Sequence, residues 1–330
     1  MRCGRGLNLS GDGSYKSLNS LMRHMRGVAG IRIRGANDKK VLARIGYFHG
    51  YKGFRYSGHP SKRLPYTDFA QLRAVVEFDT GLKSLFYPII MRLEMTMKNL
   101  AMVQILEAAG SSSLPTIYAR LMPGTKKKCK TGKLEVIHAN NGTLLKAYGR
   151  ANPIVRHYYD SPHENVPLWG LMEVITLGHF ATFLEQLDDR VLTEISHSWG
   201  ISRNYGNLVP HLVFALTDLR NSVAHNGTVF DTRFSTGRIR RQVPEFLARE
   251  IGYQGSARLK FDTITDYLML IAYLANGLQV QKRDIAGMIR QYTSLTDELH
   301  NNVPVAIFDM IVHTDNRTKL RQLEQWVRAQ

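Results

Sequence analysis

The side chains with the clearest capacity for chemistry follow an apolar run at residues 212–219. Arg220 and Asn221 come first, His225 follows, and Gly227 is expected to stop the helix. RNA can be cut without a metal when its 2′-hydroxyl attacks the adjacent phosphorus, which needs a base, an acid and a cation. Histidine suits the proton transfers because its usual pKa lies near neutrality, and arginine suits the charge on phosphorus. These residue types have the chemical groups that metal-independent RNA cleavage requires.

The spacing of these residues limits how they can cooperate. On a helix, Asn221 and His225 share a face, whereas Arg220 lies about 140° around the axis from His225. Both can reach one phosphate only at a groove edge or a frayed helix end, which Asn226 and Gly227 make plausible as a C-terminal cap. One histidine cannot easily act on both sides of phosphorus, and a second protomer would remove that difficulty. An ordinary surface ion pair and a helix-end histidine remain the alternative interpretation.

The charge of the chain points to an anionic partner. The 330 residues carry a formal net charge of +17 and have a pI near 9.9. Residues 2–63 hold 14 Lys and Arg side chains against two acidic ones, Asp12 and Asp38. Because no basic amphipathic anchor helix stands out, nucleic acid is favoured over a membrane surface. A generally basic protein without such a partner is the alternative.

Cysteine content and apolar patterning exclude several classes of protein. Cys3 and Cys129 form no Cys-x-x-Cys pair, which argues against a disulfide scaffold or a structural zinc site and fits a reducing cytosol. No signal peptide is visible, and the apolar stretch 267–278 is too short to span a membrane. Phosphate-binding loops, dinucleotide fingerprints and clustered carboxylates for metal-dependent hydrolysis are not found. We therefore expect no cofactor and no metal.

Apolar periodicity predicts a helical protein with two regions. Residues 1–65 form a basic N-terminal segment with short helices at 17–27 and 37–45, and residues 66–330 form a helical domain. Within the domain, a helix to about Phe78 precedes a long apolar helix that Pro88 kinks or divides. Residues 110–150 are predicted to be a polar, Lys-rich insertion with a mobile basic run and a turn at 140–142. His179, within another apolar run, is interpreted as a core or groove residue.

Basic residues in four segments are candidates for RNA contacts. Residues 45–56 alternate aromatic rings with cations, which fits either a nucleic-acid surface or an aromatic turn packed on the core. Residues 228–241 follow the candidate site directly and are the favoured substrate-positioning loop. The candidate RNA-binding residues are Arg32, Arg34, Lys52, Arg55, Lys126, Lys127, Lys128, Lys130, Arg233, Arg238, Arg240 and Arg241.

Three features of the chain resemble the Abi_2 (AbiD/AbiF-like) abortive-infection family, whose members carry an Arg-x4-His pattern in a HEPN-type domain. The first is the Arg220–His225 pattern. The second is a GY-F-x-GY element at residues 46–51. The third is the segment 77–102, which resembles the family's FD-x-x-L-R…IE-x-x-x-R block, with Lys83 and Lys98 where the family more often has Arg. Glu94 in this block is interpreted as a buried ion pair that orients the helix.

The resemblance implies an all-α, HEPN-like helical bundle with the basic N-terminal segment packed on it. It also implies an endoribonuclease toxin of a toxin–antitoxin defence system against phage, acting in the bacterial cytoplasm. Its active site would form across a homodimer, and a small structured non-coding RNA would hold it inactive. Arg220, Asn221 and His225 would be the catalytic residues. Two rivals remain: an RNA-binding module that does not cut, and a nucleotide-transfer or nucleotide-sensing enzyme, which would need a metal-binding carboxylate pair.

Overall fold

The computed structural model describes residues 17–123, 127–162, 165–235, 239–254 and 259–330, without the side chains of 127–129. Over this part of the chain the regular elements are helices, with three isolated β-bridges and no sheet, so the predicted all-α fold is confirmed. The α-helices are α1 (Leu18–Gly27), α2 (Gly35–Ile45), α3 (Phe69–Ala109), α4 (Leu114–Leu121), α5 (Lys127–Gly149), α6 (Pro153–Tyr159), α7 (Leu168–Val174), α8 (Leu177–Glu185), α9 (Asp189–Ser198), α10 (Val209–Ala224), α11 (Gln242–Ile251), α12 (Ile264–Gly277), α13 (Lys282–Asn302), α14 (Val305–Val312) and α15 (Asn316–Ala329).

Helix α3 is the element on which the others pack. It begins at a capping box, in which the Asp68 carboxylate accepts from the Ala70 N–H and Gln71 reaches back to the cap. It ends at Gly110, whose left-handed backbone (φ 59°) a glycine adopts without strain. Its 41 residues extend about 60 Å at 1.5 Å per residue and contact α4, α7, α9, α10, α12 and α13.

The sequence predicts that Pro88 kinks or divides this helix, and the structure shows that it does not divide it. Proline lacks an N–H and crowds the carbonyl four residues earlier, which usually kinks or ends a helix. Here Phe86 and Ile90, on either side of it, are almost completely buried. Their packing against neighbouring helices stabilises a continuous α3 and outweighs the lost hydrogen bond.

The region predicted as a polar insertion is largely helical. Residues 127–149 form α5, and the predicted turn at 140–142 lies inside it, so that prediction is wrong. Val136, Asn140 and Leu144 recur every four residues and are all buried. The Asn140 amide donates to the Tyr118 hydroxyl at 2.9 Å. Because one face of α5 is buried and its polar group is satisfied, packing overrides the turn preference of Asn-Asn-Gly.

The N-terminal segment packs on the helical domain, as predicted. After α1 and α2, the aromatic stretch forms a π-helical turn (Gly46–Tyr51) and a 3-10 turn (Lys52–Phe54). The Phe54 ring stacks on Phe230 with centroids 5.3 Å apart, and the Ser57 hydroxyl donates to the Met310 carbonyl at 2.7 Å. Of the two interpretations of this stretch, the packed aromatic turn is therefore the one seen for Phe54. No helix among the described residues is long and apolar enough to cross a membrane.

Candidate active site

Helix α10 ends in a Schellman motif immediately after the predicted catalytic residues. His225 is the C-cap, and Asn226 adopts the left-handed conformation with φ 55°. The Asn226 N–H donates to the Val223 carbonyl and the Gly227 N–H donates to the Ser222 carbonyl, at 3.3 and 2.6 Å. Asn226 rather than Gly227 is thus the residue that turns the chain. Gly227 leaves room for Ser222, since a Cβ at residue 227 would lie 2.5 Å from the Ser222 hydroxyl and would force it to move.

The three predicted catalytic side chains differ in accessibility. Asn221 and His225 are exposed, and the described residues offer the His225 imidazole no hydrogen-bond partner. Arg220 is partly buried, with 24% of its side chain exposed. Its Nη1 lies 3.4 Å from the Asn221 amide oxygen. A ligand can therefore reach the imidazole directly, whereas the guanidinium is oriented from within the protein.

Glu94 on α3 holds Arg220 in place. One Glu94 oxygen accepts from Arg220 Nε at 2.8 Å, and the other accepts from Lys98 Nζ at 2.9 Å. Lys98 in turn donates to the Ile175 carbonyl at 2.7 Å. Burial opposes ionisation of Glu94, but Lys98 and Arg220 outweigh it and hold the pKa of this carboxyl below its usual value. An ionised Glu94 therefore fixes the Nε edge of Arg220 and leaves Nη2 without a partner among the described residues.

Asp79 and Lys83, also on α3, hold the turn after His225. One Asp79 oxygen accepts from the Val229 and Phe230 N–H groups at 2.7 and 2.9 Å. Lys83 Nζ lies 3.0 Å from the other oxygen and donates to the Asn226 amide oxygen at 2.7 Å. Burial raises the pKa of Asp79, although Lys83 and the two N–H groups lower it in part. The C-terminal end of α10 is therefore attached to α3 through side chains and backbone together.

Two i,i+4 acid–lysine pairs on α3 thus brace the two ends of the candidate site. Glu94 and Lys98 hold its beginning, and Asp79 and Lys83 hold its end, which shows that α3 and α10 run antiparallel here. The interpretation of Glu94 as a buried ion pair is confirmed. Its link to Arg220 was missed, and the available signal was the recurrence of acid–lysine pairs in an otherwise apolar helix.

Arg233, a candidate RNA contact, binds within the protein. Its guanidinium donates to the Asp231 carboxylate and to the carbonyls of Gly53 and Tyr56, the last two at 2.6 Å each. Asp231 also accepts from the Gly58 N–H at 2.7 Å. Arg233 therefore ties the N-terminal segment to the residues that follow α10.

The other candidate RNA-binding cations are spread over several surfaces. Ion pairs join Arg32 to Asp68, Arg240 to Glu185 and Arg241 to Glu245, at 2.8, 3.0 and 2.7 Å. Lys52 lies over the Tyr47 and Phe48 rings, and Arg55 lies over the Tyr51 and Tyr56 rings. Arg34 and Lys130 are exposed. Lys126 and Arg238 lie outside the described residues, as do the side chains of Lys127 and Lys128. The structure therefore does not bring them together around Arg220.

Two further observations bear on the chemistry of the site. His179 is exposed, so it is not a core residue, and its interpretation as a groove residue stays a prediction; its ring Nδ1 lies 3.5 Å from the Thr143 hydroxyl. Among the residues that the structure describes, no group of three or more His, Cys, Asp or Glu side chains could hold a metal ion.

Comparison with known proteins places the chain in a family. The family model described as Abi-like protein (Abi_2) matches residues 40–231, which is more than half of the chain. The chain belongs to the Abi-like family. The matched region of this Abi-like protein includes α3 with both acid–lysine pairs and α10 with Arg220 and His225, and a HEPN superfamily assignment is consistent with it. No curated protein and no solved structure matches the chain.

Proposed function

We propose that this Abi-like protein is a metal-independent endoribonuclease of an abortive-infection defence system. The observation that carries the proposal is the pairing of an accessible imidazole with an oriented guanidinium at one helix end. His225 is open to a ligand, and Arg220 is fixed by Glu94 with a nitrogen still available. Membership of the Abi-like family independently suggests abortive-infection defence.

In the proposed reaction, His225 accepts the proton of a ribose 2′-hydroxyl as its oxygen bonds to phosphorus. The bond from phosphorus to the 5′-oxygen breaks, and an acid protonates that leaving oxygen. The products are a 2′,3′-cyclic phosphate and a 5′-hydroxyl. Arg220 stabilises the charge on the phosphoryl oxygens, and Asn221 orients the phosphate or the imidazole. A second copy of the chain supplies the second proton-transfer group, so the active form is a homodimer.

Substitution of Arg220 or His225 by Ala tests the catalytic assignment. Each variant should lose cleavage by about 10²- to 10⁴-fold, the usual contribution of an acid–base group, while it still folds and binds RNA. The measurement is cleavage of labelled single-stranded RNA with EDTA present, alongside circular dichroism and a binding titration. A 2′-deoxy residue at the cut position should block the reaction.

A matched control uses His138, an exposed histidine on α5. His138→Ala should cleave like the unmodified protein. Undiminished cleavage by His225→Ala would refute the proposed mechanism. Tight RNA binding by the unmodified protein without any cleavage would instead favour the non-cutting RNA-binding module.

The homodimer proposal has its own experiment. Arg220→Ala and His225→Ala proteins are mixed, and cleavage is compared with that of each variant alone. If a composite site takes one group from each protomer, the mixture regains activity. If the mixture stays inactive although the two proteins exchange subunits, every catalytic group comes from one chain.

We propose further that a structured non-coding RNA binds this protein and holds it inactive. The net charge of +17 supports an RNA rather than an acidic protein as the antitoxin. Sequencing the RNA that co-purifies with the His225→Ala protein tests this. A single structured species at stoichiometric level is the expected result, and a random sample of cellular RNA is the opposing one.

A further inference from the structure

The exposed face of α10 continues from the candidate site toward the N-terminus of the helix. At 100° per residue, Phe214, Asn221 and His225 fall within about 40° of one another around the axis. Phe214 is 37% exposed, whereas Leu212, Val213, Ala215 and Leu216 beside it on α10 are buried. An accessible aromatic ring and the accessible imidazole therefore lie along one line.

A cavity of about 430 Å³ opens at the Phe214 end of this line. It lies between α8, α10 and residues Ser235, Ile239 and Arg240, and its walls also include His211, Phe214 and Thr217. The Arg240–Glu185 ion pair, at 3.0 Å, borders it. This volume falls in the usual range for small-molecule sites.

The lining of the cavity includes the carboxylates of Glu185 and Asp218 beside two rings, and it suits a flat group with hydrogen-bonding edges. The rings of His211 and Phe214 are nearly parallel, with centroids 6.4 Å apart and an interplanar angle of 21°. Burial lowers the pKa of His211, and Arg240 lowers it further against the opposing effect of Glu185. A neutral imidazole offers one donor and one acceptor. An unstacked nucleobase in single-stranded RNA is usually bound by an aromatic ring that stacks on its face and by polar groups that hydrogen-bond to its edge.

The position of the cavity also fits the proposed reaction. Phe214 precedes Asn221 by seven residues and His225 by eleven, which corresponds to about 10 and 16 Å along the helix. A short run of extended RNA covers this distance. One strand can therefore occupy the cavity with a base and reach His225 with a phosphate.

We propose that this cavity is a base subsite for the RNA substrate, in which a nucleobase close to the scissile phosphate stacks on Phe214. His211 and Thr217 contact the edge of that base and select among bases. The proposal rests on the proposed ribonuclease function, and it assigns the choice of cleavage sequence to this cavity.

Fluorescence can detect the base without any cleavage. In the His225→Ala background, Phe214→Trp places an indole in the cavity, and an uncleavable RNA should quench its emission on binding. The same titration of the protein with Phe214 retained corrects for Trp169, which is 39% exposed. An abasic residue at the stacking position should remove the quenching. Quenching that is equal with and without that base would overturn the proposal.

Substitution of Phe214 by Ala measures the contribution to binding and specificity. Affinity for single-stranded RNA should fall about 5- to 150-fold, the range for loss of one base–aromatic stack, and Phe214→Tyr should retain most of it. The preferred cleavage sequence should broaden. Tyr159→Ala is the matched control, because Tyr159 on α6 has the same exposed fraction of 37%.

The outcomes separate this proposal from the ribonuclease proposal and from a dimer interface. If His225→Ala abolishes cleavage while Phe214→Ala changes neither affinity nor sequence preference, only the base subsite is refuted. If His225→Ala cleaves normally, the ribonuclease proposal is refuted, whatever Phe214 binds. If Phe214→Ala converts a dimer to a monomer in sedimentation velocity, the face binds a second copy of the chain, and the base subsite is refuted.

Discussion

At the scale of single residues, Glu94 determines how Arg220 is presented. Arginine has five N–H donors in a rigid fork, and a carboxylate that holds one edge sets the direction of the other. Because Glu94 is 8% exposed and is itself held by Lys98, it cannot follow Arg220 if the guanidinium moves. Glu94 is thus a positioning residue for the proposed reaction, since it acts through Arg220.

We expect Glu94→Gln to reduce RNA cleavage by up to about 100-fold, which is the scale of effect produced by misplacing a catalytic group by about 1 Å. The amide keeps the shape but loses the ionic hydrogen bonds to Arg220 and Lys98. Single-turnover cleavage is the measurement, with RNA affinity as a second readout that should change little. In the Arg220→Ala background the same substitution should have almost no further effect. Equal effects in both backgrounds would assign Glu94 a structural role only.

The lowered pKa of Glu94 predicts a pH-dependent contribution to stability. A carboxyl whose pKa is depressed by folding stabilises the protein above its ordinary pKa of 4.5, and this stabilisation is lost as the pH falls through the folded value. The difference in free energy of unfolding between the unmodified protein and Glu94→Gln should therefore be largest near neutral pH and should shrink below pH 4.5. Urea unfolding at several pH values measures it. Asp79, whose pKa is raised, contributes in the opposite direction in both proteins and cancels in the comparison. A difference that grows on acidification would contradict the assignment.

At the scale of elements, the junction between the N-terminal segment and the helical domain depends on Arg233. Arg233→Ala would leave Asp231, which is 5% exposed, as a buried charge without its partner. We expect a loss of about 3–5 kcal/mol in the free energy of unfolding, as for other broken buried pairs. Arg241→Ala is the control, since its ion pair with Glu245 is largely exposed and should contribute less than about 1 kcal/mol. Denaturant unfolding of the two variants tests the prediction, and similar small losses would count against a structural role for Arg233.

Some helices of this protein can be predicted from the sequence, and others cannot. Helices α1, α2 and α13 follow from apolar periodicity, because each has one buried face and a polar face. Helix α12 is instead buried on all sides from Ile264 to Ala275, and it follows from its continuous apolar run. The unbroken α3 and the helical α5 do not follow from it. Pro88 and the Asn-Asn-Gly of α5 oppose helix locally, and only burial against distant helices reverses that preference.

For the candidate site, the local pattern was visible and the long-range contacts were not. Arg220, Asn221 and His225 lie within one segment, and their types indicate their chemistry. Glu94 contacts Arg220 across 126 positions, and Asp79 contacts Val229 across 150. Periodicity within a helix carries no information about which residue of another helix lies opposite.

At the scale of the whole molecule, the excess of positive charge is the feature that acts on a binding partner over the longest distance. If it binds RNA phosphates, the logarithm of affinity should fall linearly with the logarithm of salt concentration, by about 0.7 for each phosphate contacted on a single strand. Charge reversal at Lys126, Lys127 and Lys128 should reduce this slope if that run takes part. Arg283→Glu, at an exposed position on α13, serves as the control for the loss of charge alone. A flat dependence between low and physiological salt would reject electrostatic binding of RNA.

The separation between α3 and α10 along the chain also sets when the site can form during synthesis. A ribosome adds about 5–20 residues per second. The 126 positions between Glu94 and Arg220 therefore take about 6–25 s to translate. During that interval α3 exists without the segment it braces, and Arg220 and the turn after it cannot be held until both helices have left the ribosome. Under the proposed ribonuclease function, a growing chain therefore cannot cut its own messenger RNA until α10 has been released.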